Sequence, residues 1–142
     1  MILVGEKERV AAWVASRIRH QEPFLTGYEA LGAVDASGRL IGGFVYSELR
    51  HFEGIGGIVS ICAAGERDWL SRRNLKVFLG SYPFGQLGCH RMQATVAKSN
   101  RRARDVIERL GFKNEGTIRG GHGPGRDAIL YGLLSQESIW FK

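Results

Sequence analysis

The stretch Asn100-Arg-Arg-Ala-Arg-Asp-Val-Ile-Glu-Arg-Leu-Gly-Phe-Lys-Asn-Glu-Gly-Thr-Ile-Arg119 decides the fold of this chain. Ser99 or Asn100 can accept from the free N–H groups of a helix start, and Gly111 can take the left-handed turn that ends a helix. Between them Ala103, Val106, Ile107 and Leu110 fall at i, i+3, i+4 and i+7, which predicts one buried stripe. The other face carries Arg101, Arg102, Arg104, Asp105, Glu108 and Arg109, and is expected to meet solvent or an anion. A helix start with free N–H groups and nearby arginines suits a phosphate. It equally suits a plain cap and a solvated face, and the helix alone leaves both open.

Working outward, Lys113 to Ile118 and Ala128 to Leu134 read as two strands, with Gly120-Gly-His-Gly-Pro-Gly125 a turned loop between them. Upstream, Arg91 to Ala97 alternates around Met92, Ala94 and Val96, as a strand does. Before it, Asp68 or Ser71 can cap a helix in which Leu75, Phe78, Leu79 and Tyr82 repeat the apolar spacing, and which Pro83 is expected to end. Ile58-Val-Ser-Ile-Cys62 is short, apolar and β-branched, the pattern of a buried central strand, with His51 to Gly57 a looser connection before it. Glu29 to Val34 and Arg39 to Leu49 flank a polar turn at Asp35-Ala-Ser-Gly38 and read as a hairpin. Glu6 to His20 is a first helix through Val10, Ala11, Val14 and Ile18, and Gln21 to Tyr28, holding Pro23 and Gly27, a loop.

The order is helix, hairpin, strand, helix, strand, helix, strand, strand. This is an α/β (α+β) unit with a mixed, mainly antiparallel sheet, rather than a doubly wound dinucleotide fold. The 142 residues, 44% hydrophobic, suit one domain over 1–142. No run of about 18 apolar residues exists to span a membrane, and the start does not read as a secretory signal, so a cytoplasmic protein is expected. Cys62 and Cys89 lie in apolar surroundings without metal spacing and read as reduced thiols. His20, His90 and His122 likewise have no spacing that suggests a metal. The net charge of +6 predicts attraction to polyanions without separating a nucleotide cofactor from nucleic acid. Its distribution is more informative: Arg67, Arg72, Arg73 and Lys76 cluster at one helix start, and Lys98, Arg101, Arg102 and Arg104 at the other.

From about Ala30 to Leu134 the chain resembles the GNAT-family N-acetyltransferases. It is most similar in Tyr82-Pro-Phe-Gly-Gln-Leu-Gly-Cys-His-Arg91, in Asn100 to Gly116 and in Asp127-Ala-Ile-Leu-Tyr-Gly132, which resemble the branch containing ribosomal-protein N-terminal acetyltransferases. In that family acetyl-CoA lies between two strands that splay apart, and its pyrophosphate sits on a glycine-containing loop at the next helix start. The loop's pattern is Arg or Gln, two residues, Gly, one residue, Gly or Ala. Here the basic position falls on Arg67, but Leu70 and Arg72 stand where the family has small residues. Either Arg67, Ser71, Arg72 and Arg73 bind the pyrophosphate through side chains, charge replacing close backbone approach, or the cradle has decayed. Gained positive charge favours the first reading. Trp69 is read as a packing residue rather than an adenine platform.

The resemblance also implies that the backbone of Ser60, Ile61 and Cys62 runs beside the pantetheine arm. It implies that Asn100 bonds to that arm or to a water, and that Arg102 and Ala103 lie near the phosphate end. Acetyl transfer needs a deprotonated amine, a polarised thioester carbonyl and a protonated or stabilised leaving thiolate. Many relatives use a tyrosine seven residues after the helix asparagine as the acid; here that position is Ile107. Tyr131 is the substitute candidate, and Glu53, with His51, the candidate base before the central strand; Ser60 can orient a water. Glu22 and Tyr28 lie where relatives contact the acceptor. The implied activity is direct transfer from acetyl-CoA to a primary amine, on a protein N-terminus or a small molecule. A catalytically degenerate domain binding nucleic acid or a protein through its basic surface is the rival, and an acyltransferase acting on nucleic-acid bases a third reading. An exposed sheet edge would permit a homodimer.

Overall fold

A computed structural model describes residues 1–19 and 21–142. Its elements in chain order are β1 (Ile2–Leu3), α1 (Lys7–Arg17), β2 (Tyr28–Val34), β3 (Leu40–Phe52), β4 (Gly56–Gly65), α2 (Arg72–Lys76, continuing as a π-helix over Val77–Gln86), β5 (Cys89–Ala97), α3 (Arg101–Arg109), β6 (Lys113–Ile118) and β7 (Ala128–Leu134). A short 3-10 turn, Ser135–Glu137, follows. One seven-stranded sheet runs in the order β1-β2-β3-β4-β5-β7-β6. Every pair is antiparallel except β4 with β5.

Helices cover the two faces unequally. On one face Val10, Ala11 and Val14 of α1 pack on β2 and β3, where bare glycines let the helix approach: a Cβ at Gly43 would stand 2.7 Å from a Val10 methyl. The other face holds the larger core, built from Phe44, Tyr46, Val59 and Met92 of the sheet with Leu75, Phe78 and Leu79 of the second helix and Ile107 of α3. The β2–β3 turn closes as its residues suggest: the Asp35 carboxylate accepts from the Ser37 N–H at 2.9 Å and the Arg39 N–H at 3.0 Å, and Gly38 takes φ 85.

α3 ends at a complete Schellman motif. Gly111 has φ 104, its N–H bonds to the Glu108 carbonyl at 3.1 Å, and the Phe112 N–H bonds to the Ile107 carbonyl at 3.2 Å. Its apolar stripe is narrower than the spacing predicts. Ile107 is buried, Ala103 and Leu110 are half-buried and Val106 is 40% exposed.

Three other expectations need correction. The first helix stops at Arg17; its expected last residue, His20, lies outside the described residues. His51 to Gly57 is no loose connection: β3 runs to Phe52, β4 restarts at Gly56, and Phe52 pairs with Gly56. Pro83 does not end the second helix, which continues to Gln86 in the wider register, the Leu87 N–H bonding to the Tyr82 carbonyl at 2.8 Å. The missing proline N–H leaves the Phe78 carbonyl, five residues back, without its helical donor. The Tyr46 hydroxyl donates to it at 2.7 Å, and the Ser138 hydroxyl donates to the neighbouring Leu79 carbonyl at 3.1 Å. Tyr46 is 1% exposed, so Tyr46→Phe strands a buried carbonyl and is expected to cost roughly 2 kcal/mol in urea unfolding. A loss below about 0.5 kcal/mol would show that the Phe78 carbonyl needs no such donor.

Candidate functional site

The parallel contact between β4 and β5 is short. Register partners run only from Gly57–Cys89 to Ser60–Gln93, after which β4 continues to Gly65 paired with β3 alone, and β5 to Ala97 paired with β7 alone. The two strands therefore fork, and the edge of Ile61 to Gly65 that faces β5 has backbone groups without a strand partner. Along β4 Val59 is buried, but Ile58, Ser60, Ile61 and Cys62 are half-buried instead of forming the closed central strand that their composition predicts. From Ser60 to Gly65 the limb is roughly 17 Å long at the usual strand rise.

The two limbs lead to the two basic clusters. Beyond Gly65 the chain turns through Glu66, which forms a double hydrogen bond with Arg39 at 2.9 Å for each arm. Trp69 then lies flat on Gly42 and Gly65, where any Cβ would overlap its ring, and packs at a tilt against Phe44 at 5.5 Å and Phe78 at 5.6 Å between ring centroids. It is a packing residue. Asp68 adopts φ 63, and Ser71 caps α2 by accepting the Asn74 N–H at 3.1 Å. Arg67, Arg72 and Arg73 are exposed and have no carboxylate partner among the described residues; Arg72 rests 5.8 Å from the Trp140 ring centroid. On the other limb, Asn100 caps α3 by accepting the Ala103 N–H at 3.2 Å, which leaves its amide nitrogen free to donate. Lys98, Arg101 and Arg102 beside it are likewise exposed and unpaired among the described residues.

Ser60, Ile61, Cys62, Arg67, Ser71, Arg72, Arg73, Asn100, Arg102 and Ala103 thus sit on the fork and its two outlets. Neither catalytic candidate does. Glu53 occupies the β3–β4 turn, at the closed end, and the strand from Gly56 to Ser60 puts it roughly 13 Å from the start of the fork. His51 lies at that same end, against Gly57. Tyr131 is fully buried beneath α3; its hydroxyl donates to Glu108 at 2.6 Å and accepts from the Arg104 guanidinium at 3.3 Å. Burial, then the Glu108 bond, push that hydroxyl above its ordinary pKa. It is built to hold α3 on β7.

Two features at the fork go unmarked in the motifs. The α1 face carries a polar row across its start, Tyr28, Ser47, Ser60 and Gln93, successive register partners on four strands. The loop after α1 returns over the same face, with Gln21 3.8 Å from the Cys62 sulfur and the Phe24 ring 5.9 Å from Tyr28. Burial pushes the Cys62 thiol up to about 11, so it is protonated at neutral pH. His90 Nδ1 is buried without a partner at the closed end, and no group of His, Cys, Asp or Glu among the described residues could hold a metal ion. No helix among them is long and apolar enough to cross a membrane.

No family model matches this sequence, and no curated protein does. Solved structures do match. A mutant form of spermidine N-acetyltransferase from Vibrio cholerae superposes with a TM-score of 0.75 at 17% identity, over 98% of this chain and 95% of that one. The ribosomal-protein-S5-alanine acetyltransferase from Vibrio fischeri gives 0.69 at 18% identity, over 99% and 94%. A dodecameric form of the Vibrio cholerae enzyme gives 0.71 at 18%, over 96% and 94%. The chain has the fold of these N-acetyltransferases, the GNAT fold that its motifs resemble.

Proposed function

We propose that the protein is an acetyl-CoA-dependent N-acetyltransferase that moves the acetyl group directly to a primary amine. The observation that carries this reading is the fork: a strand edge with unpaired backbone groups that opens between two sets of unneutralised arginines. An elongated co-substrate with amide groups along its arm and phosphates at its end meets hydrogen-bonding partners along the limb and positive charge at the outlet. In this arrangement the backbone of Ser60, Ile61 and Cys62 runs beside the pantetheine arm and the Asn100 amide donates to it. Arg67, Ser71, Arg72 and Arg73 hold the pyrophosphate, and Arg102 and Ala103 lie near the phosphate end. The spermidine and ribosomal-protein acetyltransferases that share the fold support an amine as acceptor.

The amine attacks the thioester carbon at the start of the fork, the C–S bond breaks, and the proton lost by the amine ends on the released thiol. Unpaired N–H groups of β4 are placed to polarise the carbonyl, and the hydroxyls of Ser47 and Ser60 to order the water that takes the amine proton. An acyl-cysteine intermediate is disfavoured, because Cys62 and Cys89 both have thiols pushed up to about 11. A reducing cytoplasmic setting suits two free cysteines. Exposed β6 is the edge on which two copies of this one-domain chain would pair.

The test is to follow free-thiol release from acetyl-CoA with and without a primary amine, alongside calorimetry. Amine-dependent release and micromolar binding are expected; absence of heat at millimolar acetyl-CoA would sink the reading.

A further inference from the structure

At the start of the fork one side chain has its orientation fixed by its neighbours. Arg91 and Gln93 lie two residues apart on β5 and face the α1 side of the sheet, the side on which Cys62 and Ala64 of β4 pack toward α1. Glu115 of β6 grips Arg91 with both oxygens, at 3.0 Å and 2.7 Å, directly over Gly132, where a Cβ would overlap both side chains. Thus held, the Arg91 side chain is only 16% exposed, and its Nε donates to Gln93 Oε1 at 3.1 Å. A guanidinium nitrogen can only donate, so the Gln93 carboxamide must turn its oxygen to Arg91, and its NH2 is left without an acceptor among the described residues. Gln93 is the register partner of Ser60, the last pair before β4 and β5 separate. Two oriented N–H donors therefore stand where the acceptor has to arrive.

We propose that Gln93 is a specificity-determining residue for the acceptor: its NH2 receives a carbonyl oxygen adjacent to the reacting amine, so the site takes peptide-type α-amines in preference to plain alkyl amines. The inference rests on the acetyltransferase reading above. A peptide α-amine has a carbonyl two bonds away that can fill the free donors, whereas an alkyl diamine brings only donors of its own. Recognition of a polycation would call for carboxylates instead, and the carboxylate of this network, Glu115, is already bound by Arg91 through both oxygens. The closed chain from Glu115 through Arg91 to Gln93 also prevents the amide from rotating to offer its oxygen.

L-alaninamide and 2-aminopropane share their branching and differ in the carboxamide; because the α-amine is the weaker base, kcat/KM is compared per free-base amine, and the change of that ratio between wild type and variant isolates the carbonyl. The wild type is expected to favour alaninamide. Gln93→Leu removes the amide; Gln93→Glu keeps an oxygen for Arg91 but replaces the donors by a negative charge. Each is expected to lower kcat/KM for alaninamide relative to 2-aminopropane about tenfold, with 2-aminopropane unchanged in Gln93→Leu, not lowered in Gln93→Glu, and acetyl-CoA affinity unchanged in both. An active wild type that prefers 2-aminopropane, or variants that change both amines alike or neither, overturns the role of Gln93 alone. A wild type that binds acetyl-CoA but acetylates neither amine overturns the acetyltransferase reading, and this inference with it.

Discussion

Gly80→Ala is expected to lower the melting temperature by roughly 10 °C, against the helix-propensity rule that favours alanine by about 1 kcal/mol. Gly80 lies in the π-helical stretch, and the backbone of Trp140 crosses it. An added Cβ would stand 2.8 Å from the Trp140 carbonyl carbon and closer still to its oxygen. The atoms to be displaced are backbone, and that backbone is tied at three points. The Ser138 hydroxyl donates to Leu79, the Trp140 N–H bonds to Ser138 at 3.2 Å, and the Trp140 indole donates to the Leu110 carbonyl at the end of α3, at 2.9 Å. Moving this segment frees the Leu79 carbonyl and exposes an indole that is 9% accessible, which together cost about 3 kcal/mol. Gly85→Ala is the contrasting variant. It lies in the same helix, but its added carbon meets only a Phe141 ring atom, at 3.7 Å, so it should leave the melting temperature unchanged or raise it. Equal melting temperatures for the two variants would refute the steric account.

The contrast between these glycines shows what the sequence could and could not reveal. Local chemistry was legible: the cap at Asn100, the turn at Gly111, and the bounds of β6 and β7 follow from spacing and turn residues, and the structure places them there. Pro83 misled because its effect depends on distant donors. A proline ends a helix unless another group satisfies the carbonyl that it orphans, and Tyr46 lies 32 residues from the Phe78 carbonyl it serves. The fork was legible only through family resemblance, since no periodicity in Ile58 to Cys62 says where a parallel pair will separate. Glu53 lies apart from the fork: nearness to the central strand in sequence is the closed end of that strand in space. Gln93 was overlooked as a polar residue alternating with Met92 and Ala94; its oriented amide emerges only when β6 brings Glu115 to Arg91.

The loop from Arg67 to Arg73 poses the sharpest functional test, because side chains stand there in place of the small residues of the resembled pattern. Replacing Arg67, Arg72 and Arg73 together by glutamine is expected to weaken acetyl-CoA binding about 100-fold. Charge-assisted bonds to phosphate are worth about 1.5–3 kcal/mol each in sheltered sites. These arginines are exposed and screened, so about 1 kcal/mol each is the fitting estimate, and three of them give the two decades. Stability should barely change, since none of the three joins an ion pair among the described residues and only the Arg72 contact with Trp140 is lost. A control with the same loss of net charge, Arg9, Arg50 and Arg109 to glutamine, removes positive charge away from the fork's outlets. It should shift the dissociation constant less than threefold if the local field at the outlet does the binding. Raising the salt concentration should weaken wild-type binding more steeply than that of the loop variant, because fewer screened contacts remain to be lost. If loop and control variants bind acetyl-CoA equally well, the arginines are a solvated surface. The phosphate end must then be held elsewhere, with the Lys98 to Arg102 outlet the place to substitute next.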